Sequence, residues 1–127
     1  MEFDAALISV AEKLVAYCQA NNEAKGLEEL YAPDAVSVEA LEMPGAGRDA
    51  VGIDAIRGKH DWWNSAFEAH ETSAEGPFLC GDDRFAVIFS MDVTEKATGD
   101  RQKSQEVGIY TVKDGKIVRE EFFYALS

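Results

Sequence analysis

The stretch Ser104–Tyr124, which reads SQEVGIYTVKDGKIVREEFFY, decides how the fold is interpreted. Two runs rich in β-branched and aromatic residues, Val107–Val112 and Ile117–Tyr124, flank the polar segment Lys113-Asp114-Gly115-Lys116. A glycine preceded by aspartate supplies the positive φ that a tight turn requires, so this pattern predicts a C-terminal β-hairpin. The register of the hairpin then determines which polar side chains share a face with apolar ones.

Two registers fit the hairpin. A two-residue loop would pair Val112 with Ile117, whereas a three-residue loop with Gly115 in the left-handed region pairs Val112 with Lys116, and we expect the second. One face then carries Glu106, Tyr110, Val118, Glu120, Phe122 and Tyr124, and the other carries Val107, Ile109, Thr111, Ile117, Arg119, Glu121 and Phe123. Both faces are mostly apolar, which predicts a sheet that is covered on each side.

The composition indicates a globular protein. The 127 residues are interpreted as a single domain, residues 1–127, with 46% hydrophobic and 28% charged residues and no apolar run near the length of a membrane span. The net charge of −12 argues against nucleic acid and anionic membranes as partners. The acidic N-terminus lacks the basic start of a secretion signal, so we expect a cytoplasmic protein.

Three helices are predicted in the first half of the chain. Apolar residues at helical spacing predict a first helix over residues 3–21, where Tyr17 borders the apolar stripe and can point its hydroxyl inward. A short second helix is expected from Lys25 to Tyr31. The third, Gly52–Phe67, places four residues on one face: Ile56, His60, Trp63 and Phe67. On that face His60 is either a hydrogen-bonded core residue or a base at a cavity wall.

Strands are predicted between and after these helices. In Ala35–Leu41 we expect Val36, Val38 and Ala40 to face inward, and Ser37, Glu39 and Leu41 to face outward. The segment Glu42–Val51 contains Pro44, Gly45 and Gly47, which predicts a loop. A short strand is expected at Phe78–Cys80, and a longer one at Phe85–Thr94 with an inward apolar set of Phe85, Val87, Phe89, Met91 and Val93.

This order of elements predicts an α+β fold, in which a curved antiparallel sheet wraps around about three N-terminal helices as a cone-shaped, cystatin-like roll with an internal pocket. The sequence resembles the nuclear-transport-factor-2-like superfamily, particularly its polyketide-cyclase-like (SnoaL-like) and ketosteroid-isomerase-like branches. The resemblance covers nearly the whole chain and is carried by Leu30–Val36, Gly52–Ile56 and Gly115–Tyr124. It implies a fold rather than a chemistry, because the superfamily includes enzymes, binding proteins and assembly modules.

The ketosteroid-isomerase resemblance carries over only in part. That branch uses a first-helix tyrosine as an oxyanion donor, and Tyr17 lies near the corresponding place. Its catalytic base is an aspartate in the first strand, where this chain has Ala40, with Glu39 expected on the opposite face. Its second oxyanion donor, a protonated aspartate in the penultimate strand, aligns with Glu106 if the hairpin loop is one residue shorter here. The missing base argues against steroid isomerisation.

The residues themselves suggest acid–base chemistry. In the expected register Glu106 and Glu120 are diagonal neighbours, and two carboxylates in an apolar pocket cannot easily both ionise, which leaves an acid beside a base. The candidate catalytic residues are therefore Glu106, Glu120, Tyr17 and His60. The candidate ligand-binding residues are Trp63, Phe67, Val38, Ala40, Phe89, Met91, Tyr110, Phe122 and Tyr124. Alternatively, Glu120 lies at the pocket mouth or pairs with a cation, and Glu106 lies at a strand end.

These residues are compatible with several functions. One is a cofactor-independent isomerase, cyclase or dehydratase that acts on a small apolar carbonyl compound; the others are non-catalytic binding of a small apolar ligand and a dimeric interaction module. No metal or organic cofactor is expected, because the spacing of the two histidines and two cysteines matches no metal site. A homodimer through the outer sheet face is expected, since five residues would otherwise be exposed: Val107, Ile109, Thr111, Ile117 and Phe123.

Overall fold

In the computed structural model, which describes residues 4–43, 45 and 47–124, three helices pack on one face of a six-stranded sheet. The helices are α1 (Ala5–Gln19), α2 (Glu23–Leu30) and α3 (Ile53–Ala66); the strands are β1 (Tyr31–Met43), β2 (Gly47–Val51), β3 (Phe67–Cys80), β4 (Arg84–Glu95), β5 (Arg101–Lys113) and β6 (Lys116–Phe123). The strand order is β2-β1-β6-β5-β4-β3. The β1–β6 pairing is parallel and the others are antiparallel, so the predicted α+β class is confirmed with a mixed sheet.

Helix α1 begins where Asp4 caps it. The Asp4 Oδ1 atom accepts hydrogen bonds from the backbone N–H groups of Ala6 and Leu7 at 2.9 and 3.0 Å, which satisfies donors that the first turn leaves free. At the other end, the Gln19 side chain donates to the Ala74 carbonyl of β3 at 3.1 Å. This helix therefore lies across the far end of the sheet. Phe3, the first residue of the predicted helix, lies outside the described residues, as does Pro44 of the predicted loop.

The edges of the sheet differ from the prediction. Strand β2 occupies part of the predicted Glu42–Val51 loop, and β3 extends from Phe67 to Cys80 instead of covering only Phe78–Cys80. Both are edge strands, and most β3 residues are exposed, so neither gives the apolar alternation that marks an inner strand. Phe67 consequently begins β3 rather than ending α3.

The predicted three-residue hairpin loop is wrong. Asp114 and Gly115 have φ values of 52° and 77°, and Val112 pairs with Ile117 across this two-residue turn. Such turns need positive φ at both central residues, which aspartate tolerates and glycine adopts freely. Val118 is then left unpaired as a bulge, beyond which Tyr110 pairs with Glu120.

The bulge has two consequences. Gly108 pairs with Phe122, so Glu106 and Glu120 share a face but are not the diagonal neighbours that we expected. Ile117 lies before the bulge and faces the helices; it is 0% exposed in the core, not on the outer face. The prediction that Glu106, Tyr110, Glu120 and Phe122 share one face survives because the short loop and the bulge offset each other.

The predicted orientation of β1 is also wrong. Ser37 is 0% exposed and, like Glu39, contacts Lys59 of α3, so these two residues face the helices. Val38 and Ala40 alternate with them and face the opposite side of the sheet. Hydrophobicity could not assign the faces, since the outer face is also apolar. Val38 and Ala40 therefore cannot line a site beneath the helices.

The core lies between the helices and the inner face of β4–β6. Phe85 and Val87 are fully buried, Phe89 packs against the core and Val93 is 1% exposed, as the alternation in β4 predicts. Phe85 stacks on Tyr110 with ring centroids 4.9 Å apart. Over the described residues, no helix is both long and apolar enough to cross a membrane.

Candidate acid–base site

Three glutamates from three adjacent strands converge beneath α3. Glu39 is on β1, Glu120 on β6 and Glu106 on β5, and Lys59 of α3 reaches down to them. The parallel pairing places Ser37 directly beside Glu120, with Glu39 two residues further along β1. We call Glu39, Glu106 and Glu120 the carboxylate cluster.

Glu120 is the most buried member of the cluster, with 2% of its surface exposed. The Tyr31 hydroxyl donates a hydrogen bond to Glu120 Oε2, whereas Glu120 Oε1 is buried without a hydrogen-bond partner among the described residues. Burial raises the pKa of Glu120, and the hydrogen bond from Tyr31, the charge of Lys59 and the nearby Ser37 hydroxyl oppose that rise. Because Oε2 accepts from Tyr31, a neutral Glu120 carries its proton on Oε1.

Glu106 lies on β5 opposite Phe89 of β4. Burial and then the charge of Glu39 raise the pKa of Glu106 to about 7, with Lys59 opposing the rise and Glu120 adding to it. Near neutral pH this carboxyl therefore exists in both protonation states. A group of this kind can accept a proton and return it without a large energetic cost.

Lys59 is the cation of the site. Its ammonium donates to Ser37 Oγ, lies 3.4 Å from Glu39 Oε1 and sits 5.0 Å from the centroid of the Phe122 ring. The side chains of Lys59 and Glu39 are 11% and 16% exposed, so solvent screens their ion pair only weakly. The amphipathic pattern of α3 holds a signal for Lys59, because Lys59 lies three residues after buried Ile56 and therefore on the same side of the helix.

Aromatic rings form the apolar wall beside the cluster. A Cβ atom on Gly108 would lie 3.0 Å from the Tyr110 ring, 3.1 Å from that of Phe122 and 3.2 Å from that of Phe89, so glycine is what allows these rings to converge. Half-buried Met91 follows on the same face of β4. Half-buried Tyr124 has its pKa raised by burial first, then by Glu39, with a further contribution from Glu106, which places it near the cluster. The structure thus brings together five of the predicted ligand-binding residues: Phe89, Met91, Tyr110, Phe122 and Tyr124.

Trp63 and Phe67 form a separate aromatic contact. Their rings stack with centroids 4.2 Å apart where α3 passes into β3, and Trp62 packs edge-on against Phe67 at 6.2 Å. Trp62 is 41% exposed, so this group lies at the rim of the helical layer.

The two other predicted catalytic residues, Tyr17 and His60, differ in their relation to the carboxylates: Tyr17 bonds elsewhere, whereas His60 is affected by the charges of Lys59 and Glu39. The Tyr17 hydroxyl donates to Glu29 of α2, and this bond raises the pKa of Tyr17. His60 is half-buried beside Lys59, and burial followed by the Lys59 charge lowers its pKa, so its ring is neutral at pH 7. Within the described part of the chain no hydrogen bond joins either residue to the carboxylate cluster. Tyr31, which we expected to end α2, is the tyrosine that contacts Glu120.

Other features of the described residues are separate from this site. No group of three or more histidine, cysteine, aspartate or glutamate side chains in residues 4–43, 45 and 47–124 is arranged to hold a metal ion. A surface depression of about 250 Å³ lies between α1, α2 and the β5–β6 turn, and its lining includes none of the cluster carboxylates.

Comparison with known proteins identifies the family of this chain. The model of the SnoaL-like domain matches residues 7–124. A crystal structure from Mesorhizobium loti, described both as a SnoaL-like polyketide cyclase and as a carbohydrate phosphatase, is 42% identical, with a TM-score of 0.85 over 92% of this chain and 97% of that chain.

More distant structures share the fold. One described as an isomerase from Bacillus subtilis is 18% identical, with a TM-score of 0.73 over 94% of this chain and 86% of its own. A protein from Xanthomonas campestris described as having a cystatin-like fold is 20% identical, with a TM-score of 0.73 over 94% of this chain and 91% of its own. No curated protein matches the chain. The match over residues 7–124 shows that the chain belongs to the SnoaL-like domain family.

Proposed function

We propose that this protein is a cofactor-independent isomerase, cyclase or dehydratase that moves protons on a small, largely apolar carbonyl compound. The observation that carries the proposal is the pair of unlike carboxyls on one sheet face. Glu106 has a pKa of about 7, and Glu120 is buried with one oxygen held by Tyr31 and the other free. Acid–base sites typically hold two carboxyls in different environments, which give them different pKa values.

The proposed chemistry assigns one role to each carboxyl. Ionised Glu106 takes a proton from the carbon next to the substrate carbonyl, and the electron pair of that C–H bond becomes the C=C bond of an enolate. Neutral Glu120 donates a hydrogen bond from Oε1 to the carbonyl oxygen as negative charge develops there. Glu106 then returns its proton to a different carbon, which completes an isomerisation. General acid–base catalysis of this kind contributes roughly 10²- to 10⁴-fold to a rate.

The aromatic wall supports an apolar substrate. Phe89 and Phe122 flank Gly108 next to the cluster, and their ring centroids are 6.4 Å apart. Apolar walls with a few directed polar groups are typical of small-molecule sites. Of the two descriptions of the Mesorhizobium loti relative, polyketide cyclase is the one that agrees with a carbonyl substrate.

Exchange of carbon-bound protons for deuterium tests the proposal without knowledge of the natural substrate. The protein is incubated in D₂O with 2-tetralone, an apolar ketone with acidic α-protons, and loss of the α-proton signal is followed by NMR. We expect catalysed exchange that falls at least about a hundredfold in Glu106→Gln and in Glu120→Gln. The control is Glu71→Gln on exposed β3, which should exchange at the wild-type rate. Unchanged exchange in both cluster variants would contradict the proposal.

Non-catalytic binding is the second candidate function. It is favoured by the fixed partners of two cluster members, since Tyr31 holds Glu120 and Lys59 holds Glu39 in a rigid arrangement. This alternative predicts saturable binding of the ketone, measured by calorimetry, with no exchange above the rate in buffer.

A further inference from the structure

We propose that the ligand carries a carbonyl oxygen and a hydroxyl group on neighbouring positions, and that Lys59 and Glu39 recognise the two together. An α-hydroxy ketone and an enolised 1,3-dicarbonyl are the simplest compounds of this class. The inference uses the site of the proposed function, but it concerns recognition and is tested by binding rather than by turnover.

The donor is the Lys59 ammonium. A lysine ammonium has three N–H donors. Among the described residues two oxygens contact it, Ser37 Oγ and Glu39 Oε1, while the Phe122 ring covers a further side at 5.0 Å from Nζ to the centroid. We assign the third N–H to a ligand oxygen at the edge of the Phe122 ring. A ligand carbonyl beside the Phe122 ring would supply that oxygen.

The acceptor is the second oxygen of Glu39. Glu39 Oε2 is buried and has no hydrogen-bond partner among the described residues. Leaving a buried acceptor unsatisfied is destabilising, so a site of this kind favours a ligand that brings a donor. Since Glu39 Oε1 is already next to Lys59, the free donor and the free acceptor belong to one ion pair. The matching acceptor and donor on the ligand must then also be neighbours.

An independent observation points to a ligand at the same place. Glu120, only 2% exposed, also has a buried oxygen without a partner in the described part of the chain. The β1–β6 pairing puts the Cα atoms of Glu39 and Glu120 about 8 Å apart, from a strand spacing of about 4.8 Å and a rise of about 3.3 Å per residue. A ligand between them meets polar groups from both carboxyls.

The charge of the site limits the ligand further. Three carboxyl groups surround a single ammonium, and Lys59 is already paired with Glu39. Because Glu39 already neutralises Lys59, no positive charge is left among the described residues of the site to offset the charge of a phosphate or carboxylate ligand. The complementary compound is neutral, with one oxygen that accepts from Lys59 and one hydroxyl that donates to Glu39.

Three matched ketones test the proposal. They are 2-hydroxy-1-phenylethanone, its methyl ether 2-methoxy-1-phenylethanone, and acetophenone, and their dissociation constants are measured by calorimetry. We expect the hydroxy ketone to bind the wild-type protein about tenfold more tightly than the other two, because only its hydroxyl satisfies Glu39 Oε2. Equal affinities for all three, or no binding of any at millimolar concentration, would overturn the proposal.

Two variants assign the preference to its residues. In Glu39→Gln an amide NH₂ can replace Oε2, so the hydroxy ketone and its methyl ether should bind equally. In Lys59→Met all three ketones lose the donor to their carbonyl and should weaken together, with the hydroxyl preference retained. Glu121→Gln, which removes a carboxylate paired with Arg119 at 3.3 Å on the outer face, is the matched control and should keep the wild-type pattern.

Deuterium exchange tests the acid–base function, and the ketone affinities test the recognition of the ligand, so the two proposals can fail separately. Catalysed deuterium exchange without a preference for the hydroxy ketone would contradict the inference and leave the acid–base function standing. A tenfold preference without exchange would support the inference and favour the binding function.

Discussion

The hydroxyl of Tyr31 determines how the buried carboxyl of Glu120 is held. Removing it in Tyr31→Phe leaves Glu120 Oε2 without its hydrogen-bond donor in a fully buried position. We expect a loss of about 1–3 kcal/mol in the free energy of unfolding, measured by urea denaturation at pH 7. Tyr17→Phe is the matched control, because its hydroxyl bonds Glu29 in an exposed contact, and we expect a change within about 0.5 kcal/mol. Equal losses in the two variants would contradict this account of Tyr31.

The sequence could predict the residues that one strand pattern places in the site, but not those that reach it from other elements. Glu106 and Glu120 were predictable because strand alternation puts them with Tyr110 and Phe122. Helical spacing from Ile56 indicates that Lys59 faces the sheet, but its partners Ser37 and Glu39 could not be predicted, because contacts between elements leave no periodic signal in the sequence. The contact of Tyr31 with Glu120 could not be predicted for the same reason. Tyr17 was predicted from its place beside the apolar stripe of α1, but its hydroxyl bonds to Glu29 of α2 instead.

Among the strands, β5 can pack closely against three aromatic rings only because residue 108 is a glycine. In Gly108→Ala the new methyl group would meet three aromatic rings at 3.0 to 3.2 Å, closer than ordinary contacts. Overpacking of this kind typically costs about 1–3 kcal/mol, and urea denaturation should show a loss in that range.

Helix α3 offers the control for this substitution. A Cβ atom on Gly58 has nothing within 4 Å, so Gly58→Ala adds the same methyl group without a clash. Alanine is a better helix former than glycine by about 1 kcal/mol, and we expect a stabilisation of up to that amount. A destabilised Gly58→Ala, or a Gly108→Ala as stable as wild type, would show that the ring contacts do not set the cost.

The wrong predictions for the hairpin loop, the faces of β1 and the extent of β3 have physical causes. The hairpin turn was predictable in position but not in length, since Asp-Gly is compatible with both loops and the bulge at Val118 has no residue that marks it. The faces of β1 were reversed because the inner face carries Ser37 and Glu39, polar residues made tolerable by Lys59 of α3. Edge strand β3 was mostly missed because its polar, exposed side chains resemble a loop.

At the scale of the whole molecule, Glu106 couples stability to pH. Its pKa rises from an ordinary 4.5 to about 7 in the folded state, so between these values the folded protein binds more protons than the unfolded chain. The free energy of unfolding therefore falls as pH rises through this window, by up to about 3 kcal/mol from this one group. We expect Glu106→Gln and wild type to be similar in stability near pH 4.5, and the variant to be the more stable at pH 8.

Urea denaturation of both proteins at several pH values from 4.5 to 8 measures this difference. The control is Glu71→Gln, an exposed carboxyl on β3, which should follow the wild-type profile. A constant offset between wild type and Glu106→Gln across the whole range would mean that the folded structure does not raise the Glu106 pKa.

The homodimer stays a prediction, with a revised surface. Phe123 and Phe78 are 50% and 46% exposed on the outer face of the sheet, whereas Ile117 belongs to the core. Exposed apolar side chains on one face favour association. We expect a dimer in native mass spectrometry at micromolar concentration, weakened by Phe123→Asp but not by Trp62→Gln at the opposite, helical side. A wild-type monomer under those conditions would contradict the prediction.

The proposed acid–base site requires that Glu106 gain and lose a proton near neutral pH. Its most direct test is an NMR titration of the protein labelled with ¹³C at the glutamate side-chain carboxyls, with the Glu106 signal identified by its loss in Glu106→Gln. We predict a titration midpoint for Glu106 of about 7. A midpoint near the ordinary value of 4.5 would show an exposed or paired carboxylate and contradict the proposed acid–base site.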